Sequence, residues 1–140
     1  KPEDKAGSSI GMSVTRWYAE HPEYRIKHNS PSGADRVLNW AVPEVREQKL
    51  MLIRELCENY AIDGLELDFL RFYSYFREET KLGERRAIMT NFVREVRQIL
   101  GPQRWLCARV PCYLTALDKL GLDLKALVAA GLEMVNASAH

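Results

Sequence analysis

The run Asp-Gly-Leu-Glu-Leu-Asp-Phe, residues 63–69, is the most informative stretch of this chain for predicting its fold class. A helical pattern precedes it and another follows it, so the run is predicted to be a short strand that an Asp-Gly turn opens. Because side chains alternate between the two faces of a strand, the apolar residues share one face and the two acids, Glu66 and Asp68, share the other. The sequence therefore predicts two carboxylates on the same side of a strand.

The acids of this run differ in their position along the strand. We expect a parallel sheet to be covered on both faces, where an acid must be ion-paired, protonated or used in chemistry. Enzymes with parallel sheets hold catalytic carboxylates at the carboxyl ends of strands, which favours a functional role for Asp68. Glu66 lies deeper and fits either a buried ion pair or a catalytic group. Asp63 is expected to be a structural turn residue.

Helical and strand patterns alternate on both sides of residues 63–69. Pro43, which glutamates follow, is predicted to begin the preceding helix, and Asp123 is predicted to cap the last helix. Further strands are expected over residues 104–111 and 132–137. The helix that begins at Pro43 should bury an apolar stripe, which consists of Val45, Leu52, Ile53, Leu56, Cys57 and Tyr60.

The alternation of strands and helices predicts an α/β fold with a parallel sheet and right-handed crossovers. The chain is expected to be one domain over residues 1–140, irregular and rich in loops over residues 1–38 and built of strand-helix units over residues 39–140. A closed (β/α)8 barrel needs about 250 residues. The prediction is therefore a partial (β/α)8 TIM-barrel segment, with a small open sheet as the alternative.

The loop after the acidic strand, residues 70–77, is crowded with aromatic and basic side chains. Surface loops at strand ends often carry function, so this loop is predicted to form a lip over a site. Arg71, Tyr73 and Tyr75 are its candidate ligand-binding residues, because flat aromatic faces and charged groups suit a polar ligand.

Three further residues complete the candidate ligand-binding set. Arg109, on the next strand, is expected to pair with Glu66 or Asp68 if its side chain faces them. Asn136 lies at the end of the final strand, and Trp17 lies in the irregular amino-terminal region. The alternatives for these two residues are a turn-forming role for Asn136 and a place in the core for Trp17.

The composition limits the functional classes that the sequence supports. A formal net charge of +1 gives no argument for nucleic acid or an anionic membrane as a partner. No run of about eighteen apolar residues is present, so no membrane span is predicted. Cys57, Cys107 and Cys112 lack the spacing of a zinc site and are expected to be reduced thiols. No cofactor or metal is predicted, and secretion stays open because a leader can be removed.

Three stretches of the chain, residues 21–24, 38–46 and 60–72, carry a resemblance to a known group of proteins. They resemble the HPEW-like element, the NPEVR-like helix start and the YDxDGxxxDxxR strand of the uncharacterised glycosyl-hydrolase-like families in the TIM-barrel superfamily. The resemblance implies consecutive middle strands of a glycosidase barrel, Asp68 on its catalytic face, and an oligo- or polysaccharide substrate. The acidic strand also resembles the chitinase motif DGxDxDxE, but Leu70 replaces its final acid, so that mechanism is not carried over.

Glycoside hydrolysis ordinarily needs two carboxyl groups on opposite sides of the bond that breaks. Glu66 and Asp68 would approach from the same side, so the partner of Asp68 is expected to come from a strand outside this sequence. The working hypothesis makes Asp68 the nucleophile or base and gives Glu66 and Arg109 supporting roles. The alternatives are a non-catalytic carbohydrate-binding barrel, a plain structural segment, and a metal-dependent hydrolase that uses Asp68, Glu66 and His140.

Overall fold

The computed structural model describes residues 15–27, 37–70, 72 and 74–139. In chain order the elements are α1 (Arg16–Glu20), a 3-10 turn (Pro22–Tyr24), α2 (Pro43–Asn59), β1 (Gly64–Asp68), α3 (Leu82–Leu100), β2 (Trp105–Pro111), α4 (Leu114–Leu120), α5 (Leu124–Ala129) and β3 (Met134–Ser138). None of the described helices combines the length and the apolar character that a membrane span requires.

The three strands form one parallel sheet in the order β1-β2-β3. Asp68 of β1 lies opposite Arg109 of β2, and Arg109 lies opposite Asn136 of β3. Each connection between neighbouring strands contains helix, as is usual where a parallel pair needs a long crossover. The predicted α/β class with a parallel sheet is therefore confirmed, and each strand begins within two residues of its expected position.

Helix boundaries follow local capping chemistry. Pro43 occupies the first turn of α2, as predicted, because its ring fits the helical φ and it lacks an N–H that the first turn would leave unpaired. Asp123 caps α5, also as predicted, by accepting a hydrogen bond from the N–H of Ala126 at 3.1 Å. The short helices α1 and α4 fall in stretches to which the sequence pattern assigns no helix.

One face of the sheet is covered by helices and forms the core. Leu106, Ala108 and Val110 of β2 are buried on this face. α3 packs against it with a stripe of buried residues, which are Met89, Phe92, Val93, Val96 and Leu100. Buried side chains of α2, α4 and α5 join the same cluster, so the helices α2 to α5 of the described chain lie on this side of the sheet.

The opposite face of the sheet is not covered by a helix in the part of the chain that the structure describes. Glu66, Asp68 and the ring of Trp105 are exposed on it. The expectation that both faces are covered is therefore wrong for the described residues. The physical reason is the sheet order, because crossovers of one hand that always step to the next strand in the same direction keep their helices on one side.

The buried stripe of α2 differs from the predicted one. Val45 and Ile53 are buried as expected, but Leu52, Leu56 and Tyr60 are exposed. α2 packs against α3 on one flank. The other flank faces solvent in the described chain, so its apolar residues are not part of the core. Helical periodicity identifies an apolar side of α2, but it does not identify which part of that side has a neighbour.

Candidate active site

The face of the sheet without a helix in the described chain presents its side chains in rows, and we call it the open face. The strand register defines these rows, which are Gly64 with Trp105; Glu66 with Cys107 and Met134; Asp68 with Arg109 and Asn136; and Pro111 with Ser138. The row of Asp68, Arg109 and Asn136 is the last one to which all three strands contribute, and we call it the carboxyl-end row. The carboxyl-end row lies where enzymes with parallel sheets place their chemistry.

Asp68 is the last residue of β1, and each of its carboxylate oxygens makes one contact. Its Oδ1 accepts a hydrogen bond from the backbone N–H of Leu70 at 3.0 Å, which orients the carboxylate. Its Oδ2 lies 3.6 Å from Nη1 of Arg109, and the side chains of Asp68 and Arg109 are 47% and 37% exposed. The predicted pairing of Arg109 with an acid of β1 is confirmed for Asp68. Both partners remain accessible to a ligand.

Glu66 is paired with a thiol instead of a cation. The Sγ of Cys107 donates a hydrogen bond to Oε2 of Glu66 at 3.4 Å. Burial raises the pKa of the Cys107 thiol, and the hydrogen bond to Glu66 adds to this shift, so the thiol stays protonated and acts as a donor. Glu66 is exposed and has no ion pair among the described residues, so within this part of the chain it is not a buried ion-pair partner.

Among the described residues of the loop after β1, Leu70, Tyr75 and Phe76 are buried, whereas Phe72 and Ser74 are exposed. Tyr75 is 6% exposed, and its ring stacks on that of Trp40 with the ring centroids 5.3 Å apart. Burial raises the pKa of Tyr75, and the negative charge of Asp68 adds to the shift. Tyr75 is therefore a neutral core residue near Asp68, which corrects its predicted role as a stacking surface. Arg71 and Tyr73 lie outside the described residues.

Trp17 lies on the amino-terminal segment and packs on Tyr24, with the ring centroids 5.6 Å apart. Arg77, in the loop after β1, anchors this segment by donating hydrogen bonds to the carbonyl oxygens of Glu23 and Arg25 at 2.8 and 3.1 Å. The structure thus joins the segment that carries Trp17 to the loop that follows β1. It does not place Trp17 in the rows of the open face.

Asn136 shares the carboxyl-end row with Asp68, two strands away. Neighbouring strands lie about 4.8 Å apart, so the row is about 10 Å long. The sequence predicts Asn136 at a strand end, but the register is needed to place it level with Asp68. Cys107 has no role in the predicted site, and the available signal was its alternation with Arg109 along β2.

The alternative prediction, a metal-dependent hydrolase, requires a group of metal ligands, and the described chain contains no such group. Across residues 15–27, 37–70, 72 and 74–139, no three His, Cys, Asp or Glu side chains form a group that could hold a metal ion. Asp68 and Glu66 share the open face, while His140 lies outside the described residues.

Comparison of the chain with protein-family models and with curated protein sequences gives no match. The side-chain groups of the open face define the chemistry that it can perform. An exposed carboxylate can take a proton or attack an electrophilic carbon. A neighbouring guanidinium and amide can hydrogen-bond to hydroxyl or carbonyl oxygens of a substrate.

Proposed function

We propose that this chain is part of a glycoside hydrolase that acts on an oligo- or polysaccharide, with Asp68 as the catalytic nucleophile or general base. The position of Asp68 carries the proposal, because this residue ends a parallel strand on the open face and lies next to Arg109. Carboxylate, guanidinium and amide groups together can accept hydrogen bonds from sugar hydroxyls and donate hydrogen bonds to them. The motifs that resemble glycosyl-hydrolase-like families support the same substrate class.

The arrangement of the helices favours a barrel as the complete fold. In a (β/α)8 barrel the helices lie outside and the inner faces of the strands meet in layers of side chains. The described sheet has helices on one side and rows of side chains on the other. Gly64 lies beside the large Trp105 in one of these rows, and small residues beside large ones suit a barrel interior. We therefore propose a TIM-barrel segment whose interior is the open face.

The contacts of Asp68 suit a carboxylate that reacts. The N–H of Leu70 holds Oδ1, while Oδ2 accepts no backbone hydrogen bond within the described chain. In a retaining reaction a carboxylate oxygen attacks the anomeric carbon, and in an inverting reaction it activates a water. Arg109 acts as a positioning residue, since its guanidinium at 3.6 Å balances the charge of Asp68 without a direct hydrogen bond.

The second carboxyl group of this reaction is assigned to a further strand. Glu66 lies two residues before Asp68 on β1, about 7 Å away along the strand, and approaches a ligand from the same side. Its carboxylate also accepts the hydrogen bond from Cys107. We propose that a strand added at an open edge of the sheet supplies the acid from the opposite side of the sugar.

Replacing Asp68 by Asn tests this proposal in the whole polypeptide that carries the sequence. Hydrolysis of a panel of neutral oligosaccharides should fall by at least about a hundredfold, because a proton acceptor or nucleophile is lost. Saccharide binding and the urea midpoint should stay close to their original values. Asp63→Asn is the matched control, since Asp63 is an exposed acid in the turn at the other end of β1. Undiminished hydrolysis in Asp68→Asn removes Asp68 from the reaction.

A non-catalytic carbohydrate-binding protein is the second candidate function, and the placement of the acids favours it. Leu70, at the position of the chitinase acid, is 1% exposed and belongs to the core, so this position supplies no proton donor. Glu66 shares the strand of Asp68. If this candidate is right, the unmodified protein binds oligosaccharides without hydrolysing them, and Asp68→Asn weakens the binding.

A further inference from the structure

We infer that Asn136 contacts the substrate and that the saccharide lies across the strands, from Asp68 on β1 to Asn136 on β3. This inference rests on the proposed function, because it assigns a second contact to the same ligand. It adds the direction in which the ligand runs, the minimum length that the site accommodates, and a residue that distinguishes short ligands from long ones.

The strand register puts three different hydrogen-bonding groups in one line. The backbone of Asp68 is paired with that of Arg109, which is paired with that of Asn136, so a carboxylate, a guanidinium and an amide extend from neighbouring strands at the same level of the sheet. The line is about 10 Å long, because it crosses two intervals between parallel strands. This length exceeds the width of a single sugar ring, so the outer groups of the line contact neighbouring units of one chain.

The groups in this line keep donors and acceptors for a ligand. Asn136 is exposed, and its amide makes no side-chain hydrogen bond with other described residues. Arg109 contacts Asp68 at 3.6 Å, which is longer than a hydrogen bond. The carboxylate accepts, the guanidinium donates and the amide does both, which matches hydroxyl groups that donate and accept.

The row below argues against a ligand that runs along the strands. In that row the thiol of Cys107 already engages Glu66, and the exposed Met134 offers an apolar surface. Trp105 then follows at the amino-terminal end of β2. A saccharide along the strands would meet fewer free polar groups with each row, whereas one along the carboxyl-end row meets a polar group on every strand.

The charges of the line also indicate the class of saccharide. One carboxylate and one guanidinium lie beside a neutral amide, so the formal charge of the row sums to zero. With the carboxylate of Glu66 in the row below, the described open face carries one excess negative charge, so it offers no excess cation for an acidic sugar. Between neutral and acidic saccharides, a neutral oligosaccharide of at least two units is therefore the ligand that fits.

Asn136→Ala tests the inference in the whole polypeptide, with neutral oligosaccharides of one to six units as probes. We expect Kd to rise about three- to tenfold for chains of two or more units, from the loss of one or two neutral hydrogen bonds. Kd for the single unit should not change. Val135→Ala is the matched control, because Val135 is also exposed on β3 but faces away from the open face. It should leave every Kd unchanged.

Two results would overturn the inference while the proposed function stands. One is an unchanged Kd for every chain length in Asn136→Ala while Asp68→Asn still abolishes hydrolysis. The other is an equal loss in Asn136→Ala and Val135→Ala. If the unmodified protein binds none of the oligosaccharides, both the inference and the proposed function fail.

A measurement on the unmodified protein covers the case in which Asn136→Ala does not fold. The side-chain amide signals of Asn136 in NMR spectra should shift when a neutral tetrasaccharide is added. A tetrasaccharide that binds and leaves these signals in place would overturn the inference.

Discussion

Arg97 of α3 joins three parts of the fold at the amino-terminal end of the sheet. Its Nε donates a hydrogen bond to the carbonyl oxygen of Gly131 at 3.0 Å, and its Nη1 donates to the carbonyl oxygens of Gly101 and Arg104 at 2.9 and 2.8 Å. Its Nη2 forms an ion pair with Glu133, and the side chain is 18% exposed. One side chain therefore ties together the end of α3, the start of β2 and the turn before β3.

Replacing Arg97 by Met keeps an unbranched apolar side chain at this position but removes every donor. Three carbonyl groups lose a partner, so at about 1 kcal/mol for each hydrogen bond the unfolding free energy should fall by about 3 kcal/mol. With an m value of about 2 kcal/mol/M in urea, the midpoint should drop by about 1.5 M. Arg94→Met is the matched control, since Arg94 is exposed on the same helix and should change stability by no more than about 0.5 kcal/mol.

Urea unfolding, followed by far-ultraviolet circular dichroism, gives the midpoint of each variant. Equal midpoints for Arg97→Met and Arg94→Met would refute the reasoning that one arginine connects the three segments. If Arg97→Met does not fold, Arg97→Lys provides the test, because lysine keeps the charge but lacks the planar fork of donors. The lysine variant should then have a midpoint below that of the unmodified protein, and an unchanged midpoint would also refute the reasoning.

Two further predictions concern the sheet. Gly64→Ala should lower the free energy of unfolding by about 1 to 3 kcal/mol, because the new Cβ would lie 2.6 Å from the carbonyl oxygen of Trp105. Gly83→Ala is the control, because a Cβ at Gly83 meets open space and should leave stability unchanged or raise it. Urea midpoints of the two variants measure the difference. The backbone N–H of Leu106 lowers the pKa of Glu133, with a smaller contribution from the neighbouring guanidinium. Glu133 therefore contributes stability above the ordinary pKa of glutamate, and this contribution is lost as the pH falls through the lowered value. Urea midpoints from about pH 6 to about pH 3 should fall less steeply for Glu133→Gln than for the unmodified protein, and parallel curves would contradict this assignment.

Part of the candidate site follows from local geometry. Side-chain alternation depends on the backbone of a single strand, so residues 63–69 suffice to place Glu66 and Asp68 on one face. The pairing of Asp68 with Arg109 additionally requires the register between β1 and β2, and a slip of one residue would turn Arg109 to the other face. The sequence could therefore predict that Arg109 pairs with an acid of β1, but not whether the partner is Glu66 or Asp68.

The differences between expectation and structure share one physical cause. The predicted stripe of α2 includes Leu52 and Leu56, which are apolar and correctly spaced, yet they are exposed because no neighbour covers that flank in the described chain. Tyr75 belongs to a loop that is predicted to form a lip over a site, yet its ring packs against that of Trp40 in the core. In both cases burial is decided by a partner that is distant in sequence or missing from the described residues.

The sequence was sufficient to predict the order of the three strands and of the helices α2, α3 and α5, the residues that begin α2 and cap α5, and the side chains that share each face of β1. These features depend on backbone geometry and on neighbours a few positions away along the chain. Three features required the folded structure: the acids of β1 lie on the face away from the helices, Cys107 donates a hydrogen bond to Glu66, and Asn136 is in the same row as Asp68. Register and burial arise from contacts between separate segments, and no short stretch of sequence contains both partners of such a contact.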